Sequence, residues 1–200
     1  MQKVLIVLIL VVIVLYFLSR KIVKSSNRKT VYNNNQKGYL LIESGSAIIS
    51  RATKNTLFSV AIGVVLLIIT LWLALKVKII LLMLPISLYL ISQIFLLSNQ
   101  LKYVKNQQIW YNPNTNDVQI EWTSGNKASF NLLRDVSQLR AVKSVQKNNQ
   151  ILFGYYEISV RNNQIYIPFL IEDNARNSLF FKTLKENFQL QTKSSLYPII

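Results

Sequence analysis

The sequence predicts an α-helical membrane protein with three transmembrane helices, joined to a small, mainly-β cytoplasmic domain that ends in a helix. Three observations carry this. Two uninterrupted apolar runs, Leu57–Leu75 and Ile79–Leu97, are separated only by Lys76-Val77-Lys78. A further apolar run, Val4–Leu18, lies near the start. After Leu97 the hydrophobic period changes from that of a helix to strict alternation, the mark of half-buried strands.

Val4–Leu18 is apolar throughout except for Tyr16. It follows Lys3, and Tyr16-Phe17-Leu18-Ser19-Arg20-Lys21 is bulky and then basic where a cleavable leader would need a small-x-small site. The run is therefore read as an uncleaved anchor covering 1–19. The basic loop 20–56 follows, carrying Arg20, Lys21, Lys24, Arg28, Lys29, Lys37, Arg51 and Lys54 against the single acid Glu43. Basic loops stay on the cytoplasmic side, which places this loop inside. Ser25–Lys37 is polar and Asn-rich and reads as a linker. Tyr39–Lys54 is more apolar, and the sequence leaves two readings open: a segment at the membrane surface, or an extension of the next helix.

Each run of the hairpin 57–97 has 19 uncharged residues. As a helix each would rise roughly 28 Å at about 1.5 Å per residue, close to the roughly 30 Å of a bilayer's hydrocarbon core. The short Lys76–Lys78 link forces the two to run antiparallel and brings the chain back to the cytoplasm. Ser59, Gly63, Thr70 and Ala74 are spaced to share one face of the first helix, where small side chains let helices approach closely in lipid. In the second, Pro85 predicts a kink and Gln93 a hydrogen bond to a neighbour. Neither run contains the Asp, Glu, Lys, Arg or His that marks ion and proton routes, so its polar residues read as packing groups.

The remainder, 98–200, alternates. Val118, Ile120 and Trp122 form one set, Tyr156, Ile158 and Val160 a second, and Ile165, Ile167 and Phe169 a third. Turn-forming clusters lie between them at 112–117, 123–126, 148–149 and 162–163, so successive strands should form antiparallel hairpins. Strands are predicted near 107–112, 117–123, 127–132, 138–146, 150–161 and 164–171. A closing helix follows over Ala175–Phe188, capped by Asp173 or Asn174. Phe181, Leu184 and Phe188 share its apolar face, with Phe180 beside them. The tail Leu196, Tyr197, Pro198, Ile199 and Ile200 is apolar enough to dock and is a candidate partner contact.

Composition excludes several chemistries. With no cysteine and no histidine, there is no disulfide, no thiol nucleophile, no imidazole base and no zinc site of the usual ligands. No metal, cofactor or catalytic residue is expected. Glu172-Asp173 is the one close acidic pair and reads as helix capping. Net charge is +15, of which the loop before the hairpin supplies about half. The twelve bases and seven acids of 98–200 are dispersed. The loop charge, chiefly Arg20, Lys21, Lys24, Arg28 and Lys29, fits anionic phospholipid headgroups at about 1 kcal/mol per base, without nucleic acid.

Phe153-Gly154-Tyr155-Tyr156-Glu157-Ile158-Ser159-Val160, then Ile165-Tyr166-Ile167-Pro168, then Leu179-Phe180-Phe181-Lys182-Thr183-Leu184, following a transmembrane hairpin, resembles the bacterial membrane proteins with a pleckstrin-homology-like domain. The resemblance covers roughly 57–190. It implies an antiparallel sandwich or partly open barrel with a C-terminal helix at one end, and a role in binding or assembly rather than catalysis. Lipid-binding members hold phosphates with Lys and Arg in the loop joining their first two strands. The matching loop here, Asn112–Asp117, has no basic residue, so specific phosphoinositide binding is not expected. The reading is a non-enzymatic, multi-pass protein of the inner (cytoplasmic) membrane, an accessory subunit whose partners are other integral membrane proteins. A small transporter or membrane-embedded enzyme is the alternative.

Overall fold

The computed structural model describes residues 38–147, 151–161 and 163–200. The anchor 1–19, the linker Ser25–Lys37 and the basic residues Arg20, Lys21, Lys24, Arg28 and Lys29 lie outside the described residues. Those described fall into two compact units, 51–98 and 38–50 with 99–200.

The first unit is helical. Helix α1 spans Ser46–Ala74, so of the two readings of Tyr39–Lys54 the helix extension holds from Ser46 onward. Its start is set by Gly45, whose carbonyl accepts from the amides of Ile48 and Ile49 at 3.0 and 3.1 Å. The chain turns at Leu75–Val77 and re-enters as a 3-10 helix, Lys78–Met83, before helix α2, Leu84–Asn106. The predicted kink at Pro85 takes the form of this change of helix type. Pro85 has no N–H to give the carbonyl of Leu81 four residues back; the amide of Leu84 bonds that carbonyl instead, three residues on. Pro85 itself stands in the first turn of α2, where no helical hydrogen bond is lost.

Both helices, Ser46–Ala74 and Lys78–Asn106 with its 3-10 entry, are long and apolar enough to cross a membrane, with mean hydropathies of 2.7 and 2.3. Only 17% and 22% of their most apolar stretches are buried. Phe58, Ile62, Val65, Ile69 and Trp72 on α1, and Ile86, Leu88 and Phe95 on α2, are all exposed.

The second unit is two packed four-stranded sheets. One runs in the order β1-β2-β3-β4, with β1 Leu40–Ile42, β2 Gln107–Asn112, β3 Asp117–Trp122 and β4 Lys127–Asn131. The other runs β7-β6-β5-β8, with β5 Val136–Ser144, β6 Gly154–Val160, β7 Asn163–Pro168 and β8 Leu190–Ser195. Every pairing is antiparallel except β5 with β8. The alternation of the sequence turns Ile109, Tyr111, Val118, Ile120, Leu139, Tyr156, Ile158, Ile165 and Ile167 into one core. Trp122 packs at its margin.

The turns use the residues their backbones require. Asn116 takes a left-handed φ of 60° after Pro113-Asn114-Thr115, and Gly125 a φ of 88° at the β3–β4 turn. Asn131 holds the corner between the sheets. Its amide donates to Thr115 O at 2.7 Å and to Asp117 Oδ1 at 2.9 Å, and its Oδ1 accepts from the amides of Leu133 and Arg134.

Asp135 belongs to the same corner, accepting from the Asn131 amide at 2.8 Å and from the Arg161 guanidinium at 3.1 Å. These bonds hold its carboxyl below the usual aspartate value. A carboxylate lowered in the folded state stabilises the fold above its unfolded value of about 3.9 and loses that contribution as pH falls through the lower folded value. The urea midpoint should therefore drop as the pH is taken below about 4, and Asp135→Asn should make that drop shallower. A variant whose acid limb matches the wild type would show that Asp135 contributes nothing to it.

Several boundaries differ from expectation: β5 and β6 cover Val136–Ser144 and Gly154–Val160 where strands are predicted near 138–146 and 150–161. Residues 38–50 belong to the β unit, because β1 pairs with β2 through Leu40–Tyr111, Leu41–Trp110 and Ile42–Ile109. The last strand of the 164–171 prediction ends at Pro168, and Phe169–Glu172 forms a short helix, α3. Pro168 leaves β7 an edge strand, as a residue without an N–H requires. The closing helix is a 3-10 turn, Ala175–Asn177, capped by Asn174, followed by helix α4, Ser178–Asn187. Gln191–Ser195, for which no element is predicted, is most of β8.

Helix α4 covers the core as predicted. Phe181 and Leu184 are buried and Phe188 packs against them, while Phe180, expected beside the apolar face, is fully buried. The ring of Phe180 meets Tyr111 and Phe181 edge-on, with centroids at 5.2 and 5.0 Å.

Candidate functional site

Strand β8 lies beside β5 at the edge of the second sheet and carries the inner face of that sheet outward. The register places Leu190 beside Leu139 and Thr192 beside Ala141. A cleft of about 280 Å³ opens there, floored by Ala141, Lys143, Leu190 and Thr192 and walled by Phe169, Glu172 and Lys185. Gly154, opposite Lys143 on β6, shapes this end of the sheet. A Cβ on Gly154 would lie 2.4 Å from Val142 O and 2.6 Å from the Phe169 ring, so only glycine lets Phe169 settle there. Phe169 in turn packs against the Tyr156 ring at 4.8 Å.

The polar wall is a three-residue network. The Tyr156 hydroxyl donates to Glu172 Oε2 at 2.6 Å, and Lys185 Nζ donates to Glu172 Oε1. The Lys185 ammonium also lies 5.7 Å from the centre of the Tyr156 ring, within cation–π range. Burial, and then the hydrogen bond to the Glu172 carboxylate, push the Tyr156 hydroxyl far above the usual phenol value. Tyr156 is therefore a fixed donor rather than a base. Glu172 does not cap a helix, which corrects the reading of Glu172-Asp173: the cap is Asn174, whose side chain accepts from the Arg176 amide at 3.2 Å. The signal for Glu172 was the alternation that turns Tyr156 inward, but sequence alone gives no sign that an acid 16 residues later lies within reach of it.

The predicted helix-packing residues occupy the inner stripe of α1. Gly63 and Thr70 are buried, and Ser59 and Ala74 half-buried. At Gly63 an added Cβ would stand 2.8 Å from Leu90 Cβ, 3.0 Å from Ser87 O and 3.1 Å from Ile91 Cγ1. Gly63 therefore sits at backbone-to-backbone contact with α2. Three polar groups within the apolar stretch of α2 turn back on their own helix. Ser87 donates to Leu84 O at 2.9 Å, Ser92 to Tyr89 O at 2.6 Å, and Gln93 to Tyr89 O at 3.4 Å. The bond predicted from Gln93 to a neighbour is thus made within α2.

The candidate tail contact docks on its own chain. Asn99 exchanges two hydrogen bonds with Ile200, at 3.1 and 3.0 Å, and Gln100 donates to Pro198 O at 3.0 Å. Pro198 is buried and Ile200 half-buried. These pairings bury Pro198 and partly cover Ile200, while Leu196, Tyr197 and Ile199 stay exposed. The five positions do not form one patch: the backbone carbonyls of this segment needed donors, and two amide side chains of α2 supply them.

No group of three or more His, Cys, Asp or Glu side chains converges as for a metal ion among the described residues. No protein-family model, no curated protein and no solved structure matches this chain.

Proposed function

We infer that this chain is a non-enzymatic membrane-anchored module, an accessory subunit that presents its β unit to a larger assembly of integral membrane proteins. The observation that carries the reading is the pairing of two long helices, whose large apolar side chains stand mostly uncovered, with a separate β unit that has a complete core of its own. Uncovered surface of that kind is stable in lipid and marks an aggregation hazard in water. A transporter reading would need polar groups open to a path, and Ser87, Ser92 and Gln93 spend their donors on their own helix. The two four-stranded sheets with a C-terminal covering helix favour the pleckstrin-homology-like reading of the domain. The basic residues Arg20, Lys21, Lys24, Arg28 and Lys29 bind anionic headgroups, and the positive charge of their loop keeps it and the β unit on the cytoplasmic side.

Two measurements test this. Ser124 is exposed at the β3–β4 turn. A Ser124→Cys variant should resist a membrane-impermeant thiol reagent in intact cells and react once they are opened; labelling in intact cells would reverse the orientation. A tagged chain purified in mild detergent should bring integral membrane proteins with it in fixed stoichiometry, and a chain that purifies alone would overturn the accessory role. Of the tail, the exposed Leu196, Tyr197 and Ile199 are the partner contacts of this reading.

A further inference from the structure

We propose that the cleft between β8 and α3 binds a small organic monoanion with an apolar body, its carboxylate held by the ammonium of Lys143. This goes beyond the assembly role and does not depend on it.

The charges of the cleft are unequal in what they have left to give. Glu172 already accepts from Tyr156 and Lys185, so the acid and the nearer lysine neutralise one another. Asp173 is exposed at the rim, where water screens it. Lys143 is half-buried in the floor. Among the described residues it has neither an ion pair nor a side-chain hydrogen bond. It is the one cation of the cleft with its full bonding capacity free, and the Thr192 hydroxyl shares its floor. A carboxylate there would gain a charge-assisted hydrogen bond.

The rest of the cleft selects an apolar body. Ala141, Leu190, Leu152 and the rings of Tyr156 and Phe169 supply its non-polar lining. An apolar cavity of about 150 Å³ accepts one benzene ring, so 280 Å³ has room for a ligand of about two fused rings. The volume lies at the lower end of the roughly 300–1,000 Å³ of most ligand pockets, which favours a small ligand.

The probe is 2-naphthoate, a rigid two-ring monocarboxylate, measured by equilibrium dialysis against the full chain in lipid nanodiscs, with empty nanodiscs as the blank. Saturable binding of one equivalent is expected. Lys143→Gln should weaken it at least about tenfold, and Thr192→Phe, which fills the floor, should abolish it, both at unchanged melting temperature. The uncharged analogue 2-naphthalenemethanol should bind the wild-type chain at least about tenfold more weakly, a comparison that needs no variant to fold. Uptake no greater than by empty nanodiscs, or equal affinity for the acid and the alcohol, would overturn the proposal.

Discussion

Phe180→Ala should bring the β unit to the edge of unfolding at ambient temperature, while Lys182→Ala, two residues away, leaves it intact. Phe180 is fully buried and touches both Tyr111 of the first sheet and Phe181 of its own helix. Phe181 continues the contact to Tyr156 of the second sheet at 5.6 Å. The ring is thus where both sheets and the covering helix meet, and no neighbour can collapse into its place without opening another contact. Truncation of a buried phenylalanine costs about 3–5 kcal/mol, a large share of a domain's roughly 5–15 kcal/mol. Lys182 offers only an exposed pair with Glu186 at 3.9 Å, and surface changes of this kind stay within about 0.5 kcal/mol. Thermal unfolding of the full chain, followed by near-ultraviolet circular dichroism of its aromatic rings, separates the two. Equal melting temperatures would mean that α4 is not structural cover.

Gly63→Leu should have the second large effect, on the helical unit. Even an added methyl would stand 2.8 Å from Leu90 Cβ and 3.0 Å from a backbone carbonyl, and a carbonyl cannot rotate away as a side chain end can. Overpacking typically costs about 1–3 kcal/mol where neighbours can shift; a leucine here must push the two helices apart along their whole contact. Resistance to thermal aggregation in detergent should fall sharply. Leu66→Ala, at a half-buried position, is the control and should change little. If the two variants aggregate alike, close approach at Gly63 is not what holds the helices together.

How legible each element was follows from what fixes it. The strands of the two hairpin series, and the inward set Val118, Ile120, Ile158 and Ile167, could be read because each pairs with a neighbour a few residues away and buries alternate side chains. The face of α4 was legible for the same reason, its period being set by one core. Strand β8 was not: Leu190-Gln-Thr-Lys-Ser-Ser has no alternation, lies exposed, and is held by backbone hydrogen bonds to β5 that leave no trace in side-chain type. Strand β1 has only three residues, and its partner lies beyond the whole helical hairpin. The cleft was hidden with β8, since its floor exists only where β8 extends the sheet. Gly63 was readable because lipid-embedded helices that touch leave room for nothing larger. The tail was apolar enough to predict docking, but its partner could not be named without the fold, because Asn99 and Gln100 lie about 100 residues away from it in sequence.

The separation of β1 from β2 sets an order of events during synthesis. Leu40–Ile42 is made before its partner, and the strand it pairs with is not made until all of 43–106 has been synthesised. At about 5–20 residues per second, that is a wait of roughly 3–13 s. Both apolar helices are made within that interval and leave the ribosome ahead of β2, so they are complete before the first sheet can close. Three residues of strand are too few to hold structure alone, and β1 waits as an unpaired edge. The β unit thus becomes complete only after both long apolar helices have been made, which keeps them from being stranded behind a finished domain.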